Sequence, residues 1–190
     1  MMRMMVLLLL AGFTPAAPAA DVSGVKVDET VQVGNAELVL NGAGLRSMSV
    51  FKVYVAGLYL VEKRASVAAV MALAGPKRFT MRLMRDLTAR QLIDALDEGL
   101  RDNTPATQHE GLKARAAELA ATMTEVHSAK EGDVIALDYL PEIGTRVLFN
   151  GVERGKPIAG ADFYRALLRI WLGDNPASEE LKRTLLGQGR

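Results

Sequence analysis

The apolar positions change their period along the chain, and the changes mark the elements. Between residues 50 and 61 most side chains are β-branched, aromatic or aliphatic, which suits a strand better than a helix. Counting by two places Phe51, Val53, Val55 and Tyr59 on one face and Lys52, Tyr54, Ala56 and Leu58 on the other. Both faces are largely apolar, which predicts a central strand covered on both sides. Ahead of it, Val25, Val27, Val31 and Val33 alternate loosely and residues 37–40 follow a Gly34-Asn35 turn, predicting two short strands. Asn41, Gly42, Ala43 and Gly44 read as a glycine-rich turn delivering Arg46 to the long strand.

Residues 66–74 predict a short helix ended by Gly75-Pro76, and residues 77–86 a strand with Phe79, Met81 and Leu83 on its dry face and Arg78, Thr80 and Arg82 on its wet one. Thr88 and Gln91 have capping-box spacing, and Leu92, Ile93, Leu96 and Leu100 follow at helical intervals. A second helix over 107–126 carries a narrow stripe of Leu112, Leu119, Met123 and Val126. Strands are predicted at 134–139 and 145–149, then a tight Asn150-Gly151 turn and a short strand interrupted by Gly155. Residues 160–172 form an apolar helix stopped at Gly173, and Asn175 with Pro176 reads as the N-cap and first position of a last helix. Hairpinned strands with helices in blocks predict an α+β domain, one antiparallel sheet covered by a layer of helices.

Composition changes this picture at one end. Within the first 20 residues, Arg3 precedes an apolar run from Met4 to Ala11, and Ala16-Ala17-Pro18-Ala19-Ala20 closes it with small residues. That is the anatomy of a cleaved export signal, so the expectation is a signal peptide at 1–20, cut near Ala19 or Ala20, and one domain at 21–190. The run is too short for a permanent span, so no transmembrane segment is expected after cleavage. Arg3 is the only charged residue removed, which leaves equal numbers of cations and acids. A balanced charge without a basic block speaks against nucleic acid as a partner. There is no cysteine, which fits an exported protein of a bacterial periplasm. With two isolated histidines, His109 and His127, it also leaves no zinc-type ligand set.

The chemistry on offer is sparse. No G-x-S-x-G elbow, P-loop or dinucleotide fingerprint occurs, and no cofactor or metal is expected. Ser47, Ser49, Thr80 and Thr145 have no base beside them, and Asp133, Asp138 and Glu142 read as solvated acids at strand ends and turns. Arg46 is the exception, a cation at the start of an apolar run. If the chain reverses near Ser49 and Val50, Arg46 faces Tyr54 across a hairpin, both on one side of the sheet. A guanidinium fork and a phenol then make a carboxylate clamp at the mouth of an apolar slot. The alternative pairs Arg46 with Glu62 or Asp86 and buries Tyr54 as core.

Two passages, NGAGLRSMSVFKVYVAGLYL and FYRALLRIWLGDNPASEELKRTLLG, resemble the chalcone isomerase superfamily, specifically its bacterial exported chalcone isomerase-like members. The resemblance implies an open-faced β-sandwich, a large antiparallel sheet under a layer of helices with the ligand cleft between them. The plant enzymes of that superfamily close a flavanone ring with an arginine, a strand threonine, a tyrosine and an asparagine on a helix, and a late threonine or serine. Their arginine falls on Arg46, but the threonine falls on Tyr54, the helix pair near Leu92 and Gly99, and the late threonine near Ile170. The fatty-acid-binding branch holds a carboxylate with an arginine and a nearby tyrosine, and Arg46 and Tyr54 match that arrangement. The leading expectation is a periplasmic, non-catalytic binder of a fatty acid or similar amphipathic carboxylate. The alternatives are an isomerase or lyase on an unidentified substrate, with no catalytic residue assigned beyond Arg46 and Tyr54, and an envelope interaction module.

Overall fold

The computed structural model describes residues 19–189. The expected export signal lies outside the described residues except for its last two. In chain order the elements are β1 (Ala19–Val22), β2 (Val25–Asp28), β3 (Thr30–Val33), β4 (Ala36–Met48), β5 (Phe51–Leu60), α1 (Val67–Ala72), β6 (Lys77–Leu83) and β7 (Leu87–Thr88). There follow α2 (Ala89–Asn103), α3 (Ala106–Val126), β8 (Ser128–Ala129), β9 (Val134–Leu140), β10 (Gly144–Phe149), β11 (Val152–Ile158), α4 (Ala161–Leu172) and α5 (Glu179–Leu185). Seven strands make one antiparallel sheet in the order β11-β10-β9-β6-β5-β4-β3, the α+β architecture expected. Among the described residues β1 pairs only with β2, Ala19 opposite Asp28 and Ala20 opposite Val27.

The sheet is covered on both sides near β5, as its two-sided apolar pattern requires. Ala56, Leu58 and Leu60 join Phe79 and Met81 of β6 and Ile135 and Leu137 of β9 in a core under the helices. Val55 and Tyr59 point the other way, into a second core with Val27, Val33 and Leu38. The central cover is α4, which is buried along eight of its residues from Phe163 to Leu172, as befits a helix apolar on most sides. The capping box of α2 forms as predicted, Gln91 N–H donating to Thr88 Oγ1 at 3.2 Å and Thr88 N–H to Gln91 Oε1 at 2.9 Å.

Three local expectations are corrected. Asn41–Gly44 is not a turn but the interior of β4. Its glycines are where α5 lies down: a Cβ on Gly42 would stand 2.0 Å from the Thr184 carbonyl oxygen, and one on Gly44 2.0 Å from Thr184 Oγ1. Gly155 does not end β11, which runs on to Ile158, but it does break the pairing: the register with β10 shifts between Arg154 and Ile158, and Gly155 takes a positive φ of 67° where a Cβ would meet Thr122 Oγ1 of α3 at 2.3 Å. The last helix starts at Glu179 with Ser178 as its N-cap, Leu181 N–H donating to Ser178 Oγ at 3.2 Å. Asn175 instead ties the chain to the end of α2, its amide donating to Asp102 O and its N–H to Asn103 Oδ1, each at 2.9 Å.

Candidate functional site

The chain reverses at Ser49 and Val50, with Ser49 at a φ of 53°. Arg46 and Tyr54 therefore stand directly opposite each other, on the face that carries the helices. Tyr54 packs against the helix-side core, so the burial half of the alternative arrangement is also true. Its hydroxyl is fixed from above: Trp171 of α4 donates its Nε1–H to Tyr54 Oη at 2.8 Å. Trp171 is held in turn by Phe79, with ring centroids 3.9 Å apart and planes inclined at 27°. Because the oxygen accepts from the indole, the phenolic proton remains free to be donated. Burial raises the Tyr54 pKa, opposed by the Trp171 hydrogen bond and the Arg46 charge, so the hydroxyl is protonated at neutral pH.

Arg46 is half-buried and donates from Nη1 to the carbonyl oxygen of its neighbour Ser47. Neither acid of the alternative arrangement reaches it. Glu62 binds Arg64, and Asp86 binds Lys130 at 2.8 Å. Among the described residues no salt bridge includes Arg46. The arrangement is a cation without an acid beside a phenol with a proton to give, which is what a carboxylate needs.

The positions matched to the enzymes' helix and late polar groups are apolar in space as well as in sequence. Leu92 packs on the helix-side core. Gly99 touches Ile170 so closely that a Cβ there would stand 2.7 Å from Ile170 Cγ2. No asparagine fits at position 99 while isoleucine occupies 170. Three cavities of about 220, 320 and 510 Å³ open around the helix layer, and neither Arg46 nor Tyr54 lines any of them. The first contains Lys77, whose ammonium donates to Leu73 O at 2.5 Å and Gly75 O at 3.3 Å. Burial lowers the Lys77 pKa to about 8.

Two residues play parts that the sequence reading did not assign. Trp171 lies in the helix-side core and is also the group that orients Tyr54; the pairing spans 117 residues and has no local signal. Asp138 is not solvated. It is 0% exposed, gripped by Arg78 through Nε–Oδ1 at 2.5 Å and Nη2–Oδ2 at 2.6 Å, with Arg146 at 3.4 Å. Among the described residues no group of acids and histidines could hold a metal, and no helix is long and apolar enough to cross a membrane.

A sequence model described as chalcone isomerase-like matches residues 19–187. The chain belongs to the chalcone isomerase-like family. Among solved structures it is similar to the crystal structure of an Arabidopsis thaliana fatty-acid binding protein, with a TM-score of 0.66 at 16% identity, covering 86% of this chain and 92% of that one. At that identity the likeness is one of fold. No curated protein sequence matches.

Proposed function

We propose that this member of the chalcone isomerase-like family is a non-catalytic binding protein for a fatty acid or a similar amphipathic carboxylate. It acts in the periplasm, after an export signal at residues 1–20 has been removed. The observation that carries the reading is the pair Arg46 and Tyr54, in register across the β4–β5 hairpin, with the phenol oriented by Trp171. The carboxylate accepts from the guanidinium and from the phenol, and its tail enters the apolar layer between sheet and helices. The fold shared with a fatty-acid binding protein supports the same class of ligand. The apolar Leu92, Gly99 and Ile170 speak against ring closure, because nothing there holds a polar substrate or its developing charge.

The test is direct. Protein purified from a heterologous host is extracted with solvent, the extract is read by mass spectrometry, and long-chain fatty acids are titrated into the stripped protein. The expected result is saturable binding that Arg46→Ala abolishes. Absence of both a co-purified lipid and saturable binding overturns the reading.

A further inference from the structure

The β4–β5 hairpin stands proud of the sheet. β3 accompanies β4 only from Ala36 to Val39, and β6 accompanies β5 only as far as Leu83 opposite Tyr54. The far end of the hairpin is thus free of strand neighbours on both flanks, and its tip is apolar. Met48 is 59% exposed, Val50 84% and Phe51 59%. Three large apolar side chains together at a projecting turn are a costly way to meet water.

The charge around the tip has one sign. From residue 38 to residue 61 the chain contains no acid, while Arg46 and Lys52 flank the turn. Arg85, beyond the end of β6, lies with its guanidinium carbon 5.4 Å from the Phe51 ring centroid. The next residue, Asp86, is already engaged, by Lys130 Nζ at 2.8 Å and Glu131 N–H at 2.9 Å. An apolar point ringed by cations is complementary to an anionic lipid surface, where side chains enter the acyl boundary and cations meet headgroups. The same ring opposes a two-fold contact between copies, which would set Arg46, Lys52 and Arg85 against their own likes.

We propose that the Met48–Phe51 tip is a membrane-docking finger that seats the protein on bilayers rich in anionic lipid. It does not depend on the clamp holding a carboxylate, although it would bring the mouth of that clamp to the lipid surface.

Co-sedimentation with vesicles tests it, using phosphatidylcholine alone and phosphatidylcholine mixed with phosphatidylglycerol. The double variant Val50→Asp/Phe51→Asp and the single Val50→Asp are compared with wild type. The variants share every residue outside the tip, so any lipid affinity of the apolar run near the N-terminus cancels. Thermal melts confirm that the exposed substitutions leave the fold intact. The expected result is binding to the mixed vesicles that falls at least tenfold in the double variant and weakens as salt rises. Lys52→Gln/Arg85→Gln should lose the preference for anionic vesicles while keeping the tip. Wild type that ignores the mixed vesicles, or tip variants that bind as well as wild type, overturns the proposal. So does a wild-type dimer that the tip variants dissolve, since the tip then serves a second copy. None of these outcomes bears on fatty-acid titration, so the two proposals fail separately.

Discussion

Trp171 does two jobs through different atoms, and a single substitution separates them. Phenylalanine at 171 keeps the stack on Phe79 but loses the N–H that Tyr54 Oη accepts. Trp171→Phe should cost about 1 kcal/mol of stability, the usual worth of one such bond, and should weaken carboxylate binding because the phenol is no longer oriented. Urea melts and fatty-acid titration check the two parts. Arg46→Lys keeps the charge but not the fork; its affinity should fall about tenfold, the equivalent of one charge-assisted hydrogen bond of roughly 1.5 kcal/mol. Equal affinity in titration would show that Arg46 does not grip the head group. The opposition of Arg46 and Tyr54 was legible in the sequence, because a reversal at Ser49 and Val50 forces it. The burial of Asp138 was not: as a single acid near the end of an apolar strand it reads as solvated. Only the registers of β6 and β10, which set Arg78 and Arg146 opposite it, make it the shared partner of two arginines. Asp138→Asn should therefore destabilise by about 3 kcal/mol, as removal of one member of a buried ion pair does, measurable by chemical denaturation.

Among the elements, β4 shows why a glycine run is ambiguous on paper. Gly42 and Gly44 signal a turn when only neighbours in sequence are considered, yet they serve as the flat bed for α5 some 140 residues later. Gly42→Ala pushes a methyl into the backbone of α5, where nothing flexible can give way. Overpacking of this kind costs about 1–3 kcal/mol, and a lowered thermal midpoint with retained β-sheet circular dichroism is the expected outcome. The cap of α5 was misplaced for a related reason. Asn175-Pro176 is a good local start, but Asn175 is already committed to α2, and Ser178 takes the cap. The junction of α3 and α4 depends on pH. Arg115 donates to both carboxylate oxygens of Asp162, at 2.8 and 2.7 Å, and holds the Asp162 pKa down to about 2 from its ordinary 3.8. The folded form thus binds fewer protons than the unfolded one between these values, so the contribution is complete above about pH 4 and disappears as pH falls toward 2. Asp162 is more than half exposed, so the effect is small. An acid titration of stability should fall less steeply in Asp162→Asn.

At the scale of the whole molecule, the two sides of the sheet do different work. The reverse side carries the second core, packed under the β1–β2 hairpin, and the Arg78–Asp138–Arg146 row with its buried carboxylate. The helix side holds the larger core, with Arg46 and Tyr54 at its rim; because neither residue lines any of the three cavities, an acyl chain anchored there under the proposed function would have to part that layer. The gross architecture was legible because hairpin turns and a capping box are local signals and the α4 stripe is dense. Depth was not, since closeness of α5 to β4 and of Gly99 to Ile170 depends on how layers settle. A ligand that binds the folded form alone couples its affinity to global stability. A carboxylate present at a hundred times its dissociation constant stabilises the folded state by about 2.7 kcal/mol, which for a chain of this size raises the melting midpoint by roughly 5–10 °C. Wild type titrated with a fatty acid should show that rise, and Arg46→Ala should melt at one temperature with or without it. A rise of equal size in both would mean that the chain enters the helix-side layer without a carboxylate anchor, and would move the head-group site away from the β4–β5 hairpin.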